Sequence, residues 1–205
     1  MIASTRTTTQ RLLAGAVAVL ALLLGVTACS NDSLAEQYRE GSGKNFVAGD
    51  GTITEWPVES RGEPVVFSGE TDTGATVGSA DTEGQVVVVN FWYAACAPCR
   101  AEAPDLEAVN VEYADEPVSF IGVNVRDQPA TAAGFAKTYG VTYPSIIDLD
   151  KDVALAFAGQ FAPNAVPTTL VLDREGRVAA RILGELSAPS ILSTIVGDLL
   201  EENLE

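Results

Sequence analysis

The chain has 205 residues, with 28 Asp+Glu against 12 Lys+Arg and a formal net charge of −16. Such an acidic balance argues against nucleic-acid binding, which needs cations to meet phosphate. With no His and only three Cys, a zinc site built from Cys and His alone is excluded. The acidity reads as a solvated surface; the sharper alternative is steering of a basic protein substrate.

The N-terminus reads as an export signal. Arg6 and Arg11 form a positive region, and Leu12 to Val26 is an apolar stretch of 15 residues. That length suits a signal core and falls short of the ~20 residues that cross a bilayer. The stretch ends in Val26-Thr27-Ala28-Cys29, followed by polar residues. This resembles a bacterial lipobox, which implies cleavage before Cys29, lipidation of that cysteine and a place at the outer face of the cytoplasmic membrane. Residues 1–28 are therefore assigned to a lipoprotein signal, 29–45 to a polar tether and 46–205 to the folded domain.

Phe46 to Trp56 reads as a hairpin turning on Asp50-Gly51, and Val65 to Val77 as a second one around Asp72-Thr73-Gly74. From Gln85 on, strands alternate with helices. Gln85–Trp92 is a buried strand, and a helix runs from Ala97 to about Tyr113. A second strand spans Val118–Val125. Asp127 is placed to cap a helix that begins with Pro129 and stops at Gly140. Ser145–Ile147 is a short strand, and Asp150 is placed to cap a helix through Phe157. Strands Thr168–Leu172 and Val178–Ile182 flank the turn Asp173-Arg174-Glu175-Gly176. Ile191, Leu192, Ile195, Val196 and Leu199 form the stripe of a last helix. This order gives an α/β fold, a sheet with helices on both faces and an N-terminal hairpin extension.

The chemistry concentrates in Asn90-Phe91-Trp92-Tyr93-Ala94-Ala95-Cys96-Ala97-Pro98-Cys99-Arg100. Two cysteines at Cys-x-x-Cys spacing follow a strand and open a helix. A helix N-terminus stabilises thiolate, the reactive form, so the pKa of Cys96 is expected to fall. The helix exposes Cys96 and covers Cys99, which makes Cys96 the attacking thiol and Cys99 the one that resolves the mixed disulfide. With Cys29 lipidated, Cys96 and Cys99 are the remaining pair, which fits an exchange enzyme better than a stapled scaffold. Arg100 reads as a solvent-facing helix residue with no assigned chemistry.

Together with Glu102-Ala103-Pro104 and Val166-Pro167-Thr168, this segment resembles the TlpA/ResA branch of extracytoplasmic thioredoxin-like thiol–disulfide oxidoreductases. The resemblance implies a thioredoxin-like fold with a central mixed sheet and a cis peptide at Pro167 opposite the cysteines. Val166, the residue before that proline, would offer backbone hydrogen bonds to an extended substrate, with Pro167 part of the same substrate-binding site. Trp92 would pack beside the disulfide and shape the substrate face. Asn90 stands where thioredoxin carries a buried Asp, and Glu102, three residues after Cys99, takes over as the acid near the sulfurs. A carboxylate there raises thiol pKa values and exchanges protons; the alternative is an exposed first-turn acid on the helix dipole.

The implied activity is reduction of disulfides in exported proteins, such as apocytochrome c. A membrane electron-transfer protein would supply the electrons, and no bound cofactor or metal is needed. The same residues run in reverse would make an oxidase that introduces disulfides. A copper chaperone lacks its usual His here, a peroxidase its signature, and a non-catalytic binding module would not need the intact cysteine pair.

Overall fold

The computed structural model describes residues 53–159, 163 and 165–202. The signal segment, Cys29, the tether and the Asp50-Gly51 turn lie outside the described residues.

Strand β1 (Ile53–Glu55) is followed by the hairpin of β2 (Ser68–Glu70) and β3 (Thr76–Gly78). Then come β4 (Val86–Trp92), α1 (Ala97–Glu112), β5 (Val118–Asn124), α2 (Pro129–Tyr139), β6 (Ser145–Ile147) and α3 (Asp152–Ala156). Strands β7 (Thr168–Leu172) and β8 (Val178–Leu183) and helix α4 (Pro189–Glu201) close the fold. Six strands form one mixed sheet in the order β1-β8-β7-β4-β5-β6. β4, β5 and β6 run parallel, whereas β7 is antiparallel to β4, and β8 and β1 continue antiparallel.

β4 lies at the centre because nothing in it needs water. All seven of its residues are buried, as a near-continuous apolar run demands of a strand covered on both sides. Its side chains alternate between faces. Val86 and Val88 join Leu106 and Val109 of α1 and Leu192, Ile195, Val196 and Leu199 of α4. Val87, Val89 and Phe91 point the other way, against Val153, Phe157, Phe67 and Trp56. The apolar stripe read from the last helix is thus the buried face of α4. The second hairpin forms as β2/β3 and is tied to the β6 edge by Asp72 N–H donating to the Ser145 carbonyl at 3.0 Å. Of the first hairpin only the second arm is described, and it pairs with β8 as β1.

Two expected helix caps are corrected. Asp127 does not cap α2, whose N-cap is Gln128 with no side-chain bond. Its carboxylate instead accepts N–H groups from Ala94 at 2.6 Å and the Asn124 side chain at 2.9 Å. Asp150 does not cap α3 either. Asp148, buried two residues earlier, accepts from Val153 N (3.0 Å) and Ala154 N (2.9 Å), while Lys151 takes φ 67° at the N-cap. For Asp127 the loop before Cys96 offers the carboxylate other donors, and for Asp150 the first-turn amides of α3 are already taken by Asp148. The α2 stop is as expected: Gly140 closes it at φ 73°, a conformation glycine adopts without Cβ strain.

Candidate active site

The C-terminal end of β4 and the first turn of α1 bring the two cysteines together. Cys96 is the N-cap of α1, with Pro98 in the first turn, where its missing N–H costs nothing. Cys96 and Cys99 form a disulfide with Cα atoms 5.3 Å apart. Cys99 N–H donates to Cys96 Sγ at 3.2 Å, so a free backbone donor of the helix end aims at the first sulfur. One expectation changes here: exposure does not separate the two, since Cys96 is 4% and Cys99 2% exposed. Their surroundings do. Cys96 Sγ lies 3.9 Å from the Val166 carbonyl oxygen, and the Val166–Pro167 peptide is cis. Cys99 faces inward, on a space of about 10 Å³ also lined by Asn90, Trp92, Tyr143 and Ser145.

Trp92 does not present a surface. It is 4% exposed, packed on Phe135 with ring centroids 4.2 Å apart and clustered with both cysteines. It supports the disulfide from within. Gly122 lets this happen, because a Cβ there would collide with Ser145 Oγ and crowd Trp92 Nε1.

Glu102 is not a first-turn surface acid. It is 1% exposed, on the face of α1 that carries Cys99 one turn earlier. Its Oε1 accepts from Asn90 Nδ2 at 2.9 Å, and its Oε2 from Leu186 N–H at 2.9 Å. Asn90 also donates to Thr169 Oγ1 at 3.0 Å, which fixes the orientation of the amide. Both carboxylate oxygens thus meet neutral donors. Burial pushes the Glu102 carboxyl up to about 7; the Leu186 and Asn90 hydrogen bonds pull the other way, and the charge of Glu185 adds to the rise. The phenol of Tyr143 is held far above its ordinary range by burial first and by the charges of Glu102 and Glu107 second.

Sequence reasoning missed Leu186, Thr169, Tyr143 and Asp127. Only the acidic side chain of Asp127 was visible as a candidate group, and it was assigned to the wrong partner. Among the described residues no group of three or more His, Cys, Asp or Glu is placed to hold a metal ion.

This fold and this disulfide define a thioredoxin-like protein with its cysteine pair at a helix N-terminus. The chain belongs to the redoxin family, whose model matches residues 60–196. It is 30% identical over 122 residues to the thiol-disulfide oxidoreductase ResA of Bacillus subtilis, covering 60% of this chain and 66% of that one. The chain thus spans just under two thirds of that relative and 57% of the ResA of Halalkalibacterium halodurans. A secreted thiol-disulfide isomerase from Corynebacterium glutamicum superposes with TM-score 0.68 at 30% identity, covering 78% of this chain and 99% of that one. A DsbF homologue from Corynebacterium diphtheriae gives TM-score 0.62 at 34% identity, with 77% and 99% covered.

Proposed function

We propose that this protein is a thiol–disulfide oxidoreductase that acts outside the cytoplasmic membrane, tethered through a lipid on Cys29, and reduces disulfides in exported proteins such as apocytochrome c. One observation carries the reading: a cysteine pair at the α1 N-terminus has a substrate ledge on one side, at Val166–Pro167, and a buried acid on the other, at Glu102. The ResA name of the similar curated proteins supports the same chemistry. For the membrane, the lipobox-like sequence is the support; among the described residues no helix is long and apolar enough to cross a bilayer.

In the reaction, the Cys96 thiolate attacks one sulfur of the substrate disulfide. A mixed disulfide forms and one substrate thiolate leaves. The Cys99 N–H that points at Cys96 Sγ favours this thiolate over the thiol. Cys99 then gives up its proton and attacks Cys96. The Cys96–Cys99 disulfide closes, the second substrate thiol is released, and two electrons have passed to the substrate. Glu102, with a carboxyl near neutrality, is suited to take the Cys99 proton at working pH. An extended substrate strand lies along Val166, and a membrane electron-transfer protein restores the dithiol.

The test is trapping. In Cys99→Ala, mixed disulfides with exported proteins accumulate through Cys96, and in Cys96→Ala they do not. Trapping that needs Cys99 instead overturns the assignment. The reduction potential gives the direction: a value near thioredoxin's means a reductase, one near that of DsbA an oxidase.

A further inference from the structure

The turn that carries Cys96 is decorated with charge of the opposite sign to the rest of the protein. With 28 acidic residues against 12 basic ones, an average stretch of this surface is negative. On Tyr93 and Ala94, however, two guanidinium groups converge. Arg126, exposed in the turn after β5, lies over the Tyr93 ring with its Cζ 4.1 Å from the centroid, where the ring face attracts a cation. Arg100, in the first turn of α1, donates from Nη1 to the Ala94 carbonyl at 3.2 Å. The Tyr93 carbonyl in turn accepts the Cys96 N–H at 3.1 Å, so both cations rest on the turn that delivers the first sulfur.

The two guanidinium groups lie directly on Tyr93 and Ala94, whereas the nearby carboxylates are directed elsewhere or flank Lys151. Asp127 turns its Oδ2 inward, to Ala94 N–H and the Asn124 amide, away from the two guanidinium groups. Lys151 donates to the Val125 carbonyl at 3.0 Å and is balanced by Asp150 and Asp152 on either side of it. Across the cysteine, Glu185 is exposed in the loop whose Gly184 N–H bonds the Pro167 carbonyl at 2.9 Å. The ledge that a substrate crosses therefore runs from a positive rim at Tyr93–Ala94 to a negative one at Glu185.

We propose that Arg126, seated on Tyr93, acts with Arg100 as a specificity element that favours extended protein segments with an acidic side chain beside their disulfide cysteine. The inference rests on the exchange function proposed above and deepens it. The overall field of an acidic protein favours basic partners at long range; the rim reverses that preference within contact distance of Cys96. Charges at an interface rim act mainly on the encounter rate, and an exposed pair changes it by about two- to five-fold.

The experiment uses the reduced full chain and three synthetic disulfide peptides that differ only beside the cysteine: Asp, Lys or Ser. Second-order reduction rates are measured by stopped flow at low and at high salt. The Asp peptide is expected to outrun the Lys peptide by about five-fold, and the ratio to fall toward one at about 1 M salt, where screening is nearly complete. Arg126→Glu is expected to bring the ratio to one or below. Lys137→Glu makes the same change in net charge on the exposed last turn of α2 and is expected to keep the ratio. A wild-type ratio at or below one, or equal ratios in the two variants, overturns the rim. Failure of the wild type to reduce even the Ser peptide overturns the exchange function together with the rim. Reduction of the Ser peptide without charge preference overturns the rim alone.

Discussion

Two carboxylates are equally buried in this molecule and are held in opposite ways. Asp173, at the turn between β7 and β8, is 0% exposed. It is ion-paired with Arg61 at 3.0 Å and Arg177 at 2.8 Å, and it also accepts N–H groups from Glu175 and Arg177. Arg61 in turn grips Glu202 just beyond α4 with two 2.7 Å hydrogen bonds, so the cluster joins the segment after β1, the β7–β8 turn and the C-terminal helix. Glu102 is buried near the disulfide with neutral donors only, and its carboxyl rises to about 7. Burial alone therefore does not decide what an acid does. Paired with cations it fixes architecture, and paired with amides it stays able to exchange a proton.

The comparison breaks most visibly at Asp173. Asp173→Ala leaves the nearly buried Arg61 guanidinium with Glu202 as its remaining acidic partner, and is expected to lower unfolding stability by about 3 kcal/mol in urea titrations. Exchange by the protein that remains folded should match wild type; a loss of turnover per folded molecule would show that this end of the sheet is not merely architectural.

Glu102→Gln sharpens the contrast from the other side. An acid whose folded pKa is raised contributes stability that is fully present below its unfolded pKa and is lost as pH rises through the folded value. Between about pH 4.5 and 7 the wild type is therefore expected to lose up to about 3 kcal/mol, and Glu102→Gln to lose that slope. Removing the charge should also lower at least one active-site thiol pKa, read from thiolate absorbance against pH on reduced protein. Identical titrations and slopes in wild type and variant would make Glu102 a spectator. The smallest effect is expected at Thr169→Val. It leaves one Asn90 N–H without its partner and costs about 1 kcal/mol by thermal unfolding, with a modest change in the Glu102 titration through the shared amide.

Much of this was legible in the sequence because the signals are local. The valine run Val86–Val89, the Pro98 start of α1, the Gly140 stop and the short strand Ser145–Ile147 each follow from residues within a few positions of one another. The cysteine pair follows from its motif and spacing, whereas the place of Glu102 beside it and the cis peptide at Pro167 follow from the family resemblance. What was not legible depends on distant chain segments. Nothing near Glu102 in sequence announces that Leu186 N–H will cover it, 84 residues later. Asp127 carries cap-like spacing as well as a longer-range option at Ala94 N–H, and Asp150 carries cap-like spacing that Asp148 pre-empts; only the packed fold decides between them. The cation on Tyr93 was illegible for the same reason: Arg126 lies 33 positions on and meets the ring only because β4 and β5 pair side by side.

The loop Gly184–Leu186 touches the Val166–Pro167 ledge at one end, where Gly184 N–H holds the Pro167 carbonyl, and the buried acid at the other, where Leu186 N–H holds Glu102. A backbone amide bonded to a carboxylate feels that group lose its charge directly. The Leu186 amide resonance is thus a native gauge for the site: its chemical shift against pH traces the protonation of Glu102, and its response to an added peptide tells whether occupancy of the ledge reaches the acid, with no label placed near the sulfurs.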